Sequence, residues 1–472
     1  MNTKFQSVKV LIESLDNQSL SLSNMIRYYL NNVRTKNSSL NAIISQISET
    51  ELQANIDIAE TRIRENKKRS PLEGFPIAIK DLEDTKGLIT TSGSPIFNEN
   101  IPKSDSPMVR NLRKAGCLII GKTNVPEFGV GSQTYNTLFG STRNPFDNQL
   151  TAGGSSGGAA VAVSSGMLPF ADGSDMMGSL RNPSAFCSVV GFRPSPGLIP
   201  SNPNSSGLPP LSTLGGIAKT TQCLTYLLDA QIGNFDHNKK NKFLFSRIID
   251  QIPIKEMRLA WLGNFNGSYN YEKGISSVCR KYLEHLQLPN VKIDEVSPEF
   301  SPEQLWESWT ILRAHSIKFD LEKHYLNPET RKKLKPEIIW EIEKGKALKT
   351  DDIEKALYYR KEWIDFLHSF FERYDFFLLP STQVFPFPAD ISYPTEIEGK
   401  KMDTYHRWME VVIPASLAGL PTISIPCGYN KAGLPVGIQL IGRFNSDSKV
   451  LATAHFLEKI SGTISINKTL PN

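Results

Sequence analysis

Residues 152–192 read AGGSSGGAAVAVSSGMLPFADGSDMMGSLRNPSAFCSVVGF, and this stretch decides how the whole chain is interpreted. It carries two glycine-flanked serines, Ser155 and Ser179, among residues with little side-chain bulk. Glycine lets the backbone turn sharply and approach a ligand closely, at an entropic cost. Glycines placed around two hydroxyl groups therefore predict a pocket in which a serine can act as a nucleophile.

The segments before this stretch predict an α/β protein. Residues 75–79 form a short apolar run that is followed by Lys80, a pattern typical of a buried strand. The segment SPMVRNLRKAGCLIIGKTN at 106–124 predicts a helix that stops at Gly116, followed by a buried strand at 117–120. Strands that alternate with helices indicate a sheet covered by helices.

The rest of the chain predicts one domain that spans all 472 residues. Residues 1–66 are expected to form N-terminal helices, and 67–250 to form the core, with an ordered loop at 190–215. Charge and aromatic content rise in 250–372, where long amphipathic patterns predict a helical insert. Strand-like segments return in 373–472, so distant parts of the chain are expected to close one sheet.

Composition excludes several classes of function. The net charge of +5 is small for this length and the basic residues are scattered, so the chain is not predicted to bind nucleic acid. The N-terminus lacks the apolar centre of a signal peptide, and no run approaches the roughly 18 apolar residues of a membrane span. The five cysteines are far apart and form no CxxC pair, which predicts buried free thiols and a cytoplasmic protein.

Lys80 is the strongest candidate for a base. Histidine is the usual partner of a nucleophilic serine, but none precedes His237 and none lies near the glycine motifs. A lysine at the end of a buried strand loses hydration, which disfavours its charged form, and a neutral lysine amine can accept a proton. The alternative is that Lys80 pairs with a nearby carboxylate at a surface strand end.

The glycine motifs themselves leave the nucleophile open. Gly153–Gly157 matches the G-x-S-x-G pattern of a nucleophile elbow, but polar, turn-like residues precede it where an elbow needs a strand. The backbone N–H groups of residues 177–179 are close enough in sequence to point at one oxyanion. Asp175 and Arg181 are spaced to form an ion pair that supports this turn.

The motifs together resemble the amidase signature family of serine hydrolases, and the matches run from about residue 20 to 445. The resemblance implies one large α/β/α fold with a central mixed sheet flanked by helices. The matching segments are Gly74–Asp81, Gly153–Gly158, Gly173–Arg181, Pro183–Phe186, Gly419–Gly428 and Gly433–Gln439.

The resemblance also implies a Ser–Ser–Lys triad, with Ser179 as nucleophile, Ser155 as bridging serine and Lys80 as base. It implies a cis peptide bond between Gly154 and Ser155. The reaction would be hydrolysis of a carboxamide to an acid and ammonia or an amine through an acyl-enzyme, with no cofactor and no metal. The oxyanion hole would be formed by the backbone of Met176, Met177, Gly178 and Ser179.

Met176 and Met177 depart from the family pattern, since many members have Thr and Gly at these positions. A flexible apolar side chain at Met177 is expected to narrow the pocket beside the nucleophile. Two alternatives remain: the A subunit of glutamyl-tRNA amidotransferase, which usually shows G-T-D-T-G-G-S-I-R-Q, and an inert binding protein on the same fold. The predicted partner is a small-molecule amide, and a homodimer is left open.

Three regions are expected to shape the acyl pocket: the loops at 131–140 and 195–215 and the helical segment 250–372. Tryptophans suggest an apolar or aryl acyl group, with ordinary core packing as the alternative. They are Trp306, Trp309 and Trp408.

Overall fold

The structure is a computed structural model that describes residues 7–202, 207–235, 244–253, 256–286 and 288–461. The helices in these ranges are α1 (Val8–Asp16), α2 (Leu22–Leu40), α3 (Glu49–Arg64), α4 (Pro107–Ala115), α5 (Gly157–Ser164), α6 (Arg181–Phe186), α7 (Thr221–Ile232), α8 (Phe245–Ile248), α9 (Ile275–His285), α10 (Pro302–Leu326), α11 (Pro328–Arg331), α12 (Pro336–Ala347), α13 (Thr350–Arg373), α14 (Ile413–Ala418) and α15 (Asp447–Ile460). None of these described helices is both long enough and apolar enough to cross a membrane.

The strands of the described ranges fall into one large sheet and three small ones. They are β1 (Ile43–Ile44), β2 (Pro76–Lys80), β3 (Leu118–Thr123), β4 (Tyr135–Asn136), β5 (Gly140–Ser141), β6 (Phe170–Asp175), β7 (Val190–Arg193), β8 (Thr213–Ala218), β9 (Met257–Trp261), β10 (Val291–Glu295), β11 (Phe376–Pro380), β12 (Glu396–Ile397), β13 (Lys400–Lys401), β14 (Thr422–Tyr429) and β15 (Pro435–Gly442). The large sheet has the order β10-β9-β11-β15-β14-β7-β8-β6. It is mixed, because β9 pairs in parallel with β10 and β11 while the other neighbours are antiparallel.

Two hydrophobic cores cover the two faces of this sheet. Successive side chains of a strand point to opposite faces, and in β11 the residues Phe376 and Leu378 belong to one core while Phe377 and Leu379 belong to the other. Buried residues of α7, α9 and α15 join the first core, and those of α5 and α13 join the second. The predicted α/β/α arrangement with a central mixed sheet is confirmed.

Local patterns that predicted single elements are confirmed by the structure. The apolar run before Lys80 is strand β2, and the helix α4 ends at Gly116, whose φ of +91° is the left-handed value that glycine favours. The three strand-like segments near the C-terminus are β11, β14 and β15. Each of these helices and strands has an apolar run or a glycine helix stop that can be recognised in the sequence alone.

The predicted loop at 190–215 is wrong at both ends, because β7 and the start of β8 lie inside the large sheet. Their sequences are rich in glycine because the backbone is crowded there. A Cβ atom at Gly191 would collide with the carbonyl oxygen of Leu180, and one at Gly215 with that of Phe192. Glycine is therefore required by close packing, and it hides the strand signal.

The predicted helical insert at 250–372 also begins too early. Strands β9 and β10 join the large sheet, and the long helices begin only at Pro302 with α10. β10 is an edge strand of this sheet and reads VKIDE, with its charged side chains partly or fully exposed. Charged residues are typical of edge strands, so the charge of the β10 segment reflects an exposed strand and not a helix.

All five cysteines are buried and none is disulfide-bonded. The tertiary fold nevertheless brings two of them together, since the Sγ atoms of Cys279 and Cys427 lie 3.8 Å apart although the residues are separated by 148 positions. Cys279 lies on α9 and Cys427 on β14, and both belong to the first core.

Candidate active site

Lys80 occupies the last position of β2, and its side chain is fully buried. Its Nζ atom lies 2.9 Å from Ser155 Oγ, 2.8 Å from Ser156 Oγ and 3.0 Å from Ser174 Oγ. The structure therefore brings the candidate base to the candidate bridging serine. The contacts with Ser156 and Ser174 were not predicted, because no local pattern sets either hydroxyl apart.

Burial decides the protonation of Lys80. Loss of hydration lowers the pKa of its amine to about 7, although the nearby carboxylates of Asp172, Asp175 and Glu83 act in the opposite direction. At neutral pH a large share of this amine is unprotonated and can accept a proton. The alternative of a surface ion pair is wrong, since among the described residues the amine is hydrogen-bonded to serine oxygens only.

Strand β6 supports Lys80 from the side. The backbone N–H of Lys80 donates to both carboxylate oxygens of Asp172, at 3.0 and 3.2 Å, and Ser174 stands two residues further on the same face of the strand. Asp172 is fully buried, and burial raises its pKa. Sequence reasoning missed Asp172; its signal is a carboxylate inside the apolar segment LPFADG.

The glycines around Ser155 are explained by close backbone approach. The peptide bond between Gly154 and Ser155 is cis, as the resemblance implied. A Cβ atom at Gly154 would lie 2.8 Å from the backbone of Gln133, and one at Gly158 would meet backbone atoms of Asn124. The serine loop can therefore sit against neighbouring backbone only without side chains at these positions.

The loop that carries Ser179 is organised by Asp175. This buried carboxylate accepts backbone N–H groups from Gly178 at 2.9 Å and Leu180 at 3.1 Å. Arg181 donates to the same carboxylate through Nε at 3.0 Å and Nη2 at 2.9 Å, and Arg193 adds a second buried cation. Burial alone would raise the pKa of Asp175, but these two cations hold it well below its usual range. Ser179 itself is 8% exposed.

The backbone amides of this loop are not equivalent. The Gly178 N–H is already paired with Asp175. Within the described part of the chain, the amides of Met176, Met177 and Ser179 have no hydrogen-bond acceptor. These three N–H groups can stabilise a negative charge that develops beside Ser179.

A cavity of about 290 Å³ contains both predicted catalytic serines and the two methionines. Its walls come from all three expected regions, with Gly131 and Ser212 from the loops and Arg313 and Ile317 from α10. A second cavity of about 310 Å³ shares five lining residues with the first, Met176 among them. The two cavities therefore adjoin.

The tryptophans are packing residues in this structure. Trp309 and Trp408 are fully buried in the second core, and Trp306 is half-buried against Arg407. Trp309 still reaches the site indirectly, since its Nε1–H donates to the sulfur of Met177 at 3.2 Å. The core interpretation therefore holds for Trp309 and Trp408.

No described histidine lines the cavity, and His237 lies outside the described residues. No group of three or more His, Cys, Asp or Glu side chains in the described ranges is arranged to hold a metal ion.

The family model for amidases matches residues 24–451. The chain belongs to the amidase family. An acylamidase of Rhodococcus erythropolis is 31% identical over 469 residues, which cover 97% of this chain and 96% of that protein. The A subunit of glutamyl-tRNA(Gln) amidotransferase from Alkaliphilus metalliredigens is 29% identical over 478 residues and covers 94% of each chain.

The fold of this amidase is shared with solved structures of the family. A bacterial aryl acylamidase of the amidase signature family superposes over 100% of both chains with a TM-score of 0.89 at 23% identity. The predicted family resemblance, the fold class and the enzyme class, an amidase, are thereby confirmed.

Proposed function

We propose that this chain is a one-domain amidase that hydrolyses a carboxamide to an acid and ammonia or an amine. Ser179 is the nucleophile, Ser155 the bridging serine and Lys80 the base. The observation that carries the proposal is the 2.9 Å contact between Lys80 Nζ and Ser155 Oγ beside a cavity that also contains Ser179. The family assignment supports the same reaction.

The first half of the reaction forms an acyl-enzyme. Ser179 Oγ attacks the amide carbonyl while its proton passes to Ser155 Oγ, and the Ser155 proton passes to the neutral amine of Lys80. The backbone amides of Met176, Met177 and Ser179 stabilise the tetrahedral oxyanion. The C–N bond then breaks, and the relay returns the proton from Lys80 to the departing nitrogen.

The second half releases the acid. Water attacks the acyl carbonyl and gives its proton to the same relay, and the ester bond to Ser179 breaks as the proton returns to Ser179 Oγ. Asp175 takes no part in proton transfer, because it is held as a carboxylate by Arg181 and Arg193. Its role is to fix the loop from which Ser179 projects.

Replacing Ser155 by alanine is expected to lower kcat/KM by about 10²- to 10⁴-fold, because Lys80 then has no bridging hydroxyl. Initial rates on a primary amide measure the loss. Ser165→Ala is the matched control, since its buried hydroxyl donates only to the Val161 carbonyl one helical turn back. Equal rates in Ser155→Ala and wild type would contradict the relay.

The pH profile of kcat/KM on a neutral amide is expected to rise with pH and to level off above a midpoint of about 7, because Lys80 must be unprotonated to act. Below the midpoint the rate should fall about tenfold per pH unit, as for a single titrating base. The Asp172 carboxylate raises the pKa of Lys80, so Asp172→Asn should move the midpoint to lower pH. The fall in rate below the midpoint is the acidic limb of the profile. If this limb disappears in Asp172→Asn, it reports the titration of Asp172 and not that of Lys80.

An amidotransferase A subunit is the second candidate, favoured by relatives of that name at 29% identity over nearly the whole chain. Against it stand Met176 and Met177, whose side chains line the cavity where such subunits usually carry Thr and Gly. The amidotransferase subunit and the stand-alone amidase can be distinguished by measuring glutamine hydrolysis by the chain alone and again after addition of amidotransferase partner subunits. Glutaminase activity that depends on the partners supports the second candidate, while hydrolysis of other amides without partners supports the first.

A further inference from the structure

Arg313 of α10 lines the cavity that contains Ser155 and Ser179, although it is only 5% exposed. One edge of its guanidinium group is fixed by protein. Nε donates to Glu341 Oε1 at 2.7 Å and Nη2 donates to the Tyr405 hydroxyl at 2.8 Å. The Tyr405 hydroxyl in turn donates to Glu341 Oε1 at 2.6 Å, so this edge is rigid.

The other edge of Arg313 has no oxygen partner within the part of the chain that the structure describes. There, Nη1 donates only to the sulfur of Met176, at 3.1 Å. A thioether is a weak acceptor, whereas buried guanidinium donors normally meet oxygen. The wall of the cavity therefore presents a fixed N–H donor that a ligand oxygen can satisfy.

The charge of the surroundings favours an uncharged acceptor. Glu341 already offsets the guanidinium charge at close range, and Asp320 adds a carboxylate to the same cavity wall. Lys335 Nζ lies beside Gly131 and is buried without a hydrogen-bond partner among the described residues, but Lys335 does not line the cavity. Its charged neighbours are Glu337 and Glu127 as well as Arg313. A carboxylate on the substrate would therefore meet Asp320, while Arg313, already paired with Glu341, is the only cation among the described lining residues.

We infer that Arg313 Nη1 binds an uncharged oxygen acceptor of the substrate, so the preferred substrate is an amide that carries a second carbonyl group. The inference rests on the proposed function, because it assigns a substrate class to the same site. The sulfur of Met176 would be displaced by this carbonyl, a stronger acceptor for the same N–H.

A matched series of primary amides tests the inference. The diamides succinamide, glutaramide and adipamide are compared with butanamide, pentanamide and hexanamide, and with the corresponding monoamide carboxylates. A diamide has two equivalent amides, so its kcat/KM is first divided by two. At the chain length that reacts fastest, the corrected kcat/KM of the diamide should exceed that of the monoamide by about tenfold or more. This is the range expected for a hydrogen bond to a charged donor. In Arg313→Lys this ratio should fall towards one, because lysine retains a charge beside Glu341 but loses the planar fork.

Arg69→Lys is the control variant, since Arg69 forms a comparable pair with the buried Glu73 but is absent from the cavity lining. Its diamide-to-monoamide ratio should match that of wild type. Equal turnover of diamides and monoamides by wild type would overturn the inference, and so would a preference for the carboxylates or an unchanged ratio in Arg313→Lys. Failure to hydrolyse any amide would instead overturn the proposed function. The wild-type ratio remains a test if Arg313→Lys does not fold.

Discussion

Replacing Ser179 by alanine is expected to lower kcat/KM for amide hydrolysis by about 10⁴-fold or more, the scale seen when a nucleophile is removed from a serine hydrolase. In the proposed mechanism Ser179 Oγ is the atom that forms the acyl-enzyme, so its removal takes away the nucleophile. A fluorophosphonate probe provides an independent measurement, since it should label wild type and leave Ser179→Ala unlabelled. The substitution removes one oxygen from a residue that is 8% exposed and adds no bulk, so the fold should be retained.

Ser184→Ala is the matched control for this experiment. Ser184 is a buried residue of α6, and its hydroxyl has no hydrogen-bond partner among the described residues. It should keep both activity and labelling. Equal labelling of Ser179→Ala and wild type would contradict the nucleophile assignment. A wild type that neither reacts with the probe nor hydrolyses any amide would favour the inert binding protein.

Replacing Lys80 by methionine is expected to lower kcat/KM by about 10³- to 10⁴-fold, because the relay loses its proton acceptor. Methionine has nearly the length of lysine and no charge, so it suits a position that is fully buried. The residual activity should also lose the acidic limb with its midpoint of about 7, since that limb reports Lys80. Rates between pH 5 and 9 (about four units, enough to define a single titration) measure both effects.

Lys219→Met is the control for Lys80→Met. Burial lowers the pKa of Lys219 to about 8, but its amine donates to the carbonyl of Ser164 and the residue is absent from the cavity lining. This variant should keep the rate and the pH midpoint of wild type. A Lys80→Met variant with a normal rate and an unchanged acidic limb would show that another group is the base.

Helices and strands whose own residues carry a clear pattern could be predicted from the sequence. Strand β2 and the strands near the C-terminus are apolar runs bounded by turn residues, and α4 carries its own glycine stop. Strands β7 and β8 could not be predicted in this way. Their glycines are required by backbone packing against Leu180 and Phe192, which is a contact between segments and not a local preference.

The residues of the candidate active site also differ in whether a local sequence pattern indicates them. The motifs indicated Lys80, Ser155 and Ser179, because glycine-flanked serines and a lysine at a buried strand end are unusual in one chain. They did not indicate Asp172 or Arg313. Asp172 acts through the backbone of Lys80 across 92 positions, and Arg313 reaches the cavity only because α10 packs over the serine loops.

The sequence by itself determined the family and the α/β class, and it indicated the serines and the lysine that we propose as catalytic, because these depend on short motifs with local steric requirements. Only the tertiary structure decided the protonation of Lys80, the pairing of the Gly178 amide with Asp175, and the free edge of Arg313. The physical reason is that desolvation and hydrogen-bond satisfaction depend on every segment packed around a group. Such neighbours come from strands and helices far apart in the chain, so no local pattern can report them.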